Sequence, residues 1–317
     1  YDTGGAAVRL ILAAADLLQA SAVVVLDPGS GDFTPDRVAR LATLQDPSSD
    51  LLAPAHPRPP NAGLLVTQLA RPLTCGIYGR DLREPLLPEF GASARFTAHC
   101  AQLDFGGDRG RWTTHYWIAA EALAGQFTIK QVPLGPRRTA APPAQAGLPT
   151  MLQQVVTSIF ASIEATSGAW HARPAIAEEP LPEAGDVPPA TTATTALLET
   201  FASDVRNLYE IIRRILSADT HLALQAAAGH ASGGRLPAAL WVDLVGEFLL
   251  AYHHRVMLPE HIVQALLPLY IARTGTFLLE HAASPPVRVE AAVQELCGMF
   301  ELIRPRIIER WAEPAVR

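Results

Sequence analysis

From Ala6 to Leu18 apolar side chains recur at helical spacing, and after "QASA" the chain turns to "VVVL", a run of branched residues that meets Asp27-Pro28-Gly29-Ser30. A helix feeding a short buried strand is the unit from which layered α/β folds with parallel sheets are built. Thr34 then offers an N-cap and Pro35 a first helical turn, so "PDRVARLATL" reads as the next helix. Helix, strand, acidic turn and helix follow in that order. In open α/β sheets ligands bind at the carboxyl ends of strands, which is where Asp27 stands. Two readings of Asp27 follow from its position. Its carboxylate could hold Mg²⁺ or Mn²⁺ against a diphosphate, or it could cap the turn "DPGS" through backbone amides.

Further along, "DLLAPAH" reads as a short strand, "LLVTQLARPLTCGIYG" as a helix, "GQFTIKQVPLG" as a late strand and "LPTMLQQVVTSIFASIEATSGAW" as a long amphipathic helix. Between about Ala172 and Ala196 the composition shifts to Pro, Ala, Thr and acids, which cannot bury a core and predicts a linker. From Leu197 onward the pattern is helical almost throughout. The chain thus divides into an α/β part (1–171), a linker (172–196) and a helical part (197–317).

Composition removes several function classes. A net charge of -6 with a single lysine, Lys130, leaves no electrostatic footprint for nucleic acid. No stretch approaches ~18 uninterrupted apolar residues, so no membrane span is expected. Cys75, Cys100 and Cys297 lack metal or redox spacing and read as reduced core thiols of a cytoplasmic protein. Gly-x-Gly-x-x-Gly, the P-loop and the hydrolase elbow Gly-x-Ser-x-Gly are all absent. In the helical part Glu247 and one of His253 and His254 share a helix face, with His261 two turns on, which offers a second place for a metal beside the plainer reading of core and surface residues. Trp241, Phe248, Tyr252, Leu266, Leu269 and Tyr270 read as core or subunit contact, and Gly275 and Gly298 as points of close helix approach that suit a homodimer.

Five stretches carry a resemblance: "AAVRLILAAADLLQASAVVVLDPGSGDFTPDRV", "RPLTCGIYGRDLREPLLPEFGASAR", "GRWTTHYWIAAEAL", "FTIKQVPLGPRR" and "EFLLAYHHRVMLPEHIVQALLPLYIARTGTFLLE". Their order and spacing resemble bacterial GT-A glycosyltransferases similar to glucosyl-3-phosphoglycerate synthase and mannosylglycerate synthase. The resemblance runs from Thr3 to Trp311. It implies a GT-A-like α/β sheet with helices on both faces and an all-helical C-terminal region. It also implies retaining transfer of a hexose from a nucleotide-diphosphate sugar to a small acidic acceptor of the glycerate type, with Mg²⁺ or Mn²⁺ as cofactor. Finally, it implies that the family's first strands lie before Tyr1.

The motif positions depart from the family pattern. Asp-x-Asp is reduced to Asp27, with Asp32 as the nearest second carboxylate for a metal. The family's Gly-Lys-Gly reads "TGG", so Gly4 and Gly5 stand at the nucleotide side without the lysine. "LPEFG" keeps a carboxylate in Glu89, which the resemblance turns toward sugar and acceptor, while Leu87 and Pro88 replace glycines. His115 stands where an acidic residue near the attacking hydroxyl is expected, and a neutral imidazole can still take a proton. Thr139 replaces the metal-binding histidine. Arg137 and Arg138 beside it either neutralise a diphosphate without metal or form a solvated pair. Two functions remain open: a hexosyltransferase with an altered metal site, and a catalytically silent relative that binds or scaffolds.

Overall fold

The strand Leu51–Ala55 is buried along its whole length, and the rest of the sheet is arranged around it. The structure, a computed structural model, describes residues 4–26, 34–43, 49–58, 62–106, 115–135, 147–171, 197–229, 234–281 and 283–313. Its first part runs α1 (Gly4–Leu17), β1 (Ala22–Val25), α2 (Pro35–Ala42), β2 (Leu51–Ala55), a π-helical turn (Val66–Ala70), α3 (Arg71–Tyr78), β3 (Phe90–Ser93), α4 (Ala94–Ala101), α5 (Tyr116–Ala124), β4 (Ile129–Pro133), α6 (Leu148–Ala165) and α7 (Ser167–Trp170). Among the described residues the second part has helices and no strand: α8 (Phe201–Asn207), α9 (Tyr209–Ile215), α10 (Ala218–Ala228), α11 (Ala238–His253), α12 (Pro259–His281) and α13 (Pro286–Trp311). The expected linker, 172–196, lies outside the described residues.

The strand order is β1-β3-β2-β4. β2 and β4 are parallel, from Leu51 opposite Ile129 to Ala55 opposite Pro133. β3 is antiparallel to both β1 and β2. The sheet is therefore mixed, which corrects the expectation of a parallel one. Reversing β3 places its amino end beside the carboxyl ends of β1, β2 and β4. Pairing with β3 stops at Leu52, so Pro54, which has no N–H to give, falls where β2 has only one neighbour. Close contact rather than β propensity fits β3 into place. A Cβ on Gly91 would lie 2.1 Å from the Leu41 carbonyl oxygen at the end of α2.

Thr34 caps α2 as expected, accepting from the Arg37 amide at 3.3 Å. The long helix after β4 is interrupted, because Thr166 turns its hydroxyl back onto the Ser162 carbonyl and divides α6 from α7. A similar local cause explains the π turn. Pro72 has no N–H for the carbonyl of Gln68 and its ring crowds that oxygen. The backbone widens by one residue, with the Arg71 amide bonded to Val66, and the orphaned Gln68 oxygen accepts from the Trp241 indole at 2.7 Å. A proline in the α/β part thus creates the acceptor that anchors α11.

One apolar core runs from Val8 and Leu12 through Phe90, Trp117 and Phe160 to Trp241, Phe300 and Trp311. Among the described residues α12 is long and apolar enough to cross a membrane, but 72% of its most apolar window is buried within this fold. Gly275 on α12 packs against Leu197 and Leu198 of the same chain, whereas a Cβ on Gly298 would meet nothing within 4 Å. Only the first of these glycines marks a close approach. A tighter one occurs at Gly76 of α3, where a Cβ would lie 2.5 Å from Phe300 Cβ and 2.8 Å from its carbonyl carbon on α13. Gly76→Ala should therefore cost about 1–3 kcal/mol, read as a lower midpoint in equilibrium urea unfolding.

Candidate functional site

Chain direction determines what gathers at one rim of the sheet. His56 follows β2, Leu134 and Gly135 follow β4, and Glu89 precedes the reversed β3, so all of them meet at the same end. His56 is fully buried at its side chain and Glu89 nearly so, and His56 Nε2 lies 3.0 Å from Glu89 Oε1. Its other nitrogen, Nδ1, lies 2.9 Å from the Gly135 carbonyl. A carbonyl only accepts, so Nδ1 carries a hydrogen and donates it. The Nε2–Oε1 contact then requires a second proton, either on the imidazole or on the carboxyl. Histidine and glutamate are a proton-sharing, formally neutral pair.

Beside this pair lies a cavity of about 40 Å³, walled by the segment after β2, the π turn, the segment after α3 and the first turns of α13. It has room for a few waters or one small polyatomic ion. Its charged side chains are bonded to one another. Arg58 donates to Glu84 through Nε at 2.8 Å, and both are largely buried. Arg71 grips Asp81 through Nε and a terminal nitrogen at 2.6 and 2.7 Å. Its remaining face grips Glu290 of α13 at 2.7 and 3.2 Å. Arg83 adds a bond to the same Glu290 oxygen at 3.2 Å. Its Nε and the hydroxyl of Thr67 on the π turn have no hydrogen-bond partner among the described residues, and both residues line the cavity.

The sequence-derived site residues fall into two groups. Asp27, Asp32, Arg137, Arg138 and Thr139 lie outside the described residues. Gly4 and Gly5 open α1. His115 precedes α5, half-buried, with Nδ1 donating to the Leu87 carbonyl at 3.0 Å and its ring edge-on to Phe90. That bond leaves Nε2 as the nitrogen able to take a proton. Glu89 and His115 thus share one stretch of backbone, but the carboxylate goes to His56. Leu87, read as a replacement for a family glycine, has φ +43°, in the left-handed region where a side chain costs about 1–2 kcal/mol.

No group of three or more His, Cys, Asp or Glu among the described residues could hold a metal. Glu84, Glu89, Asp81 and Glu290 are each bonded to arginine or histidine, so the described rim does not fit a divalent ion. Glu247, His253 and His254 are occupied as well. Glu247 accepts from the Ser217 amide and hydroxyl and from Thr220 at 2.7–2.9 Å, closing the start of α10. His253 pairs with Glu164 at 3.0 Å and stacks on Trp311, and His254 donates to the Arg310 carbonyl. All three cysteines are free and buried, and burial pushes the Cys100 thiol upward.

Sequence reasoning missed His56, Arg58, Thr67, Arg71, Arg83, Glu84 and Glu290. His56 had a usable signal, since it follows β2 as Asp27 follows the β1 run. Glu290 had none, being 219 residues from Arg71. Compared with models of known protein families the chain matches none, and no curated protein matches it.

Glu290 also makes the site sensitive to acid. Burial raises its carboxyl, but hydrogen bonds from Arg71, then the charges of Arg71 and Arg83, outweigh burial and hold it below the usual carboxylate range. A depressed folded-state pKa adds stability above the unfolded value of about 4.3, and that stability is lost as pH falls through the folded value. Glu290→Gln removes this contribution. The urea-unfolding difference between wild type and E290Q should be widest near neutral pH and close as pH falls below about 4.

Proposed function

We propose that this chain is a GT-A-like, glycosyltransferase-related protein that acts by binding and no longer transfers sugar. The observation that carries this reading is the buried bonding of the rim, above all the His56–Glu89 pair, which is held in turn by the Gly135 carbonyl. Sugar transfer needs charged groups that are free to face the reacting centre and become more strongly engaged in the transition state. Glu89 is 4% exposed and already shares a proton, so releasing it would break a buried pair, at a cost on the order of 3–5 kcal/mol. Arg58 and Arg71 are likewise spent on internal carboxylates.

A second reading keeps the activity: transfer of a hexose from a nucleotide-diphosphate sugar to a small acidic acceptor. The position of the cavity favours it, beyond the carboxyl end of β2, with Arg83 Nε and the Thr67 hydroxyl directed to no protein partner among the described residues. In that reading Asp27 and Asp32 would hold Mg²⁺ or Mn²⁺, a metal that neutralises the diphosphate leaving group, and His115 Nε2 would receive the acceptor proton.

Calorimetric titration with UDP-glucose and GDP-mannose, each with Mn²⁺ and with chelator, separates the two readings when it is paired with a transfer assay on glycerate-type acceptors. The silent reading expects no metal-dependent donor binding and no transfer. Turnover that disappears in Glu89→Gln would overturn it and establish the transferase.

A further inference from the structure

We infer that Glu290 is an internal anion seated in a site formed by Arg71 and Arg83, and that a small oxyanion of the phosphate or carboxylate class occupies the same place when the first turns of α13 move aside. The charge count in the α/β part supports this. Arg58 is matched by Glu84, Arg71 by Asp81, and His56 with Glu89 is neutral as a pair. Among the described residues the only carboxylate that Arg83 bonds is Glu290, 207 residues away, while Asp81 and Glu84 act on it through charge alone. Without α13, the α/β part would present at the cavity one guanidinium with no bonded carboxylate among the described residues, and burial already disfavours that charge.

Glu290 is held as a bound oxyanion would be. One guanidinium grips both of its oxygens and a second adds a bond to one of them. The site also has donors that Glu290 leaves unused, since Arg83 is 8% exposed with its Nε unpartnered among the described residues, and the Thr67 hydroxyl lines the same cavity. An ion with more oxygens than a carboxylate could take those donors as well. The covering wall is the end of a helix: α13 follows its N-cap Pro285 with no side-chain cap, and Val287 in its first turn is 70% exposed. Unlike the sugar-transfer question, this inference concerns Arg71, Arg83 and α13 and requires no donor nucleotide.

The test is calorimetric titration of the full chain with inorganic phosphate, at ionic strength matched with chloride, in wild type, Glu290→Gln and Glu290→Gln/Arg83→Met. Removing the competing carboxylate should tighten phosphate binding by about tenfold or more, the equivalent of one charge-assisted hydrogen bond, and the added Arg83→Met should abolish the gain. Equal affinity in wild type and E290Q, or a gain that survives Arg83→Met, overturns the inference. Should E290Q fail to fold, hydrogen exchange of wild type decides the matter. Phosphate should speed exchange of the amides at 287–296 where matched chloride does not, and unchanged exchange overturns the inference.

Discussion

Arg71 is the charge on which the two halves of this fold depend. It is 3% exposed, and a guanidinium so placed is tolerable only if its donors are filled by carboxylates held in the right plane. Asp81 arrives from ten residues along the chain and Glu290 from the last helix. Around that ion the other features fall into order. Pro72, the next residue, opens the π turn; the π turn frees the Gln68 carbonyl; and that carbonyl receives Trp241. Four residues beyond Pro72, Gly76 lets Phe300 approach the backbone. The docking of α11 and α13 is therefore specified by polar and steric detail in one short stretch, from Gln68 of the π turn to Gly76 of α3, on top of the apolar burial that drives it.

What could be read in the sequence was local. β1, β2, β4 and the capped start of α2 have near-neighbour signals, a valine run, a leucine pair, spaced Ile and Val, and a Thr-Pro pair, and they stand where those signals put them. β3 has no such signal. "FGAS" carries no β-branched residue, and it is a strand because β1 and β2 flank it and Gly91 admits the end of α2. Its reversed direction, which brings Glu89 to the rim, is a property of the sheet and not of those four residues.

The same distinction holds for the site. Glu89 and His115 could be singled out because short motifs surround them, yet their partners, His56 and the Leu87 carbonyl, could not. A residue's type gives the chemistry it can perform, but tertiary pairing decides whether it is free to perform it. The cavity is the extreme case. Its ion pairs join residues separated by 10, 26, 207 and 219 positions, so no window of sequence contains them.

The burial of α12 gives its one interior cation a double consequence. Between His261 and Glu280 its only charged residue is Arg273, which is 3% exposed and bonded to Gln68 and to the Leu236 carbonyl. Taken apart from Gln68 and Leu236, this segment is an apolar helix of 23 residues whose one cation has Glu280 of the same helix for a partner. That single arginine penalises residence in lipid by about 2.5–3.5 kcal/mol at a helix centre. In this fold Arg273 is bonded to Gln68, so the side chain that makes the helix a poor guest for lipid is also what joins it to the π turn.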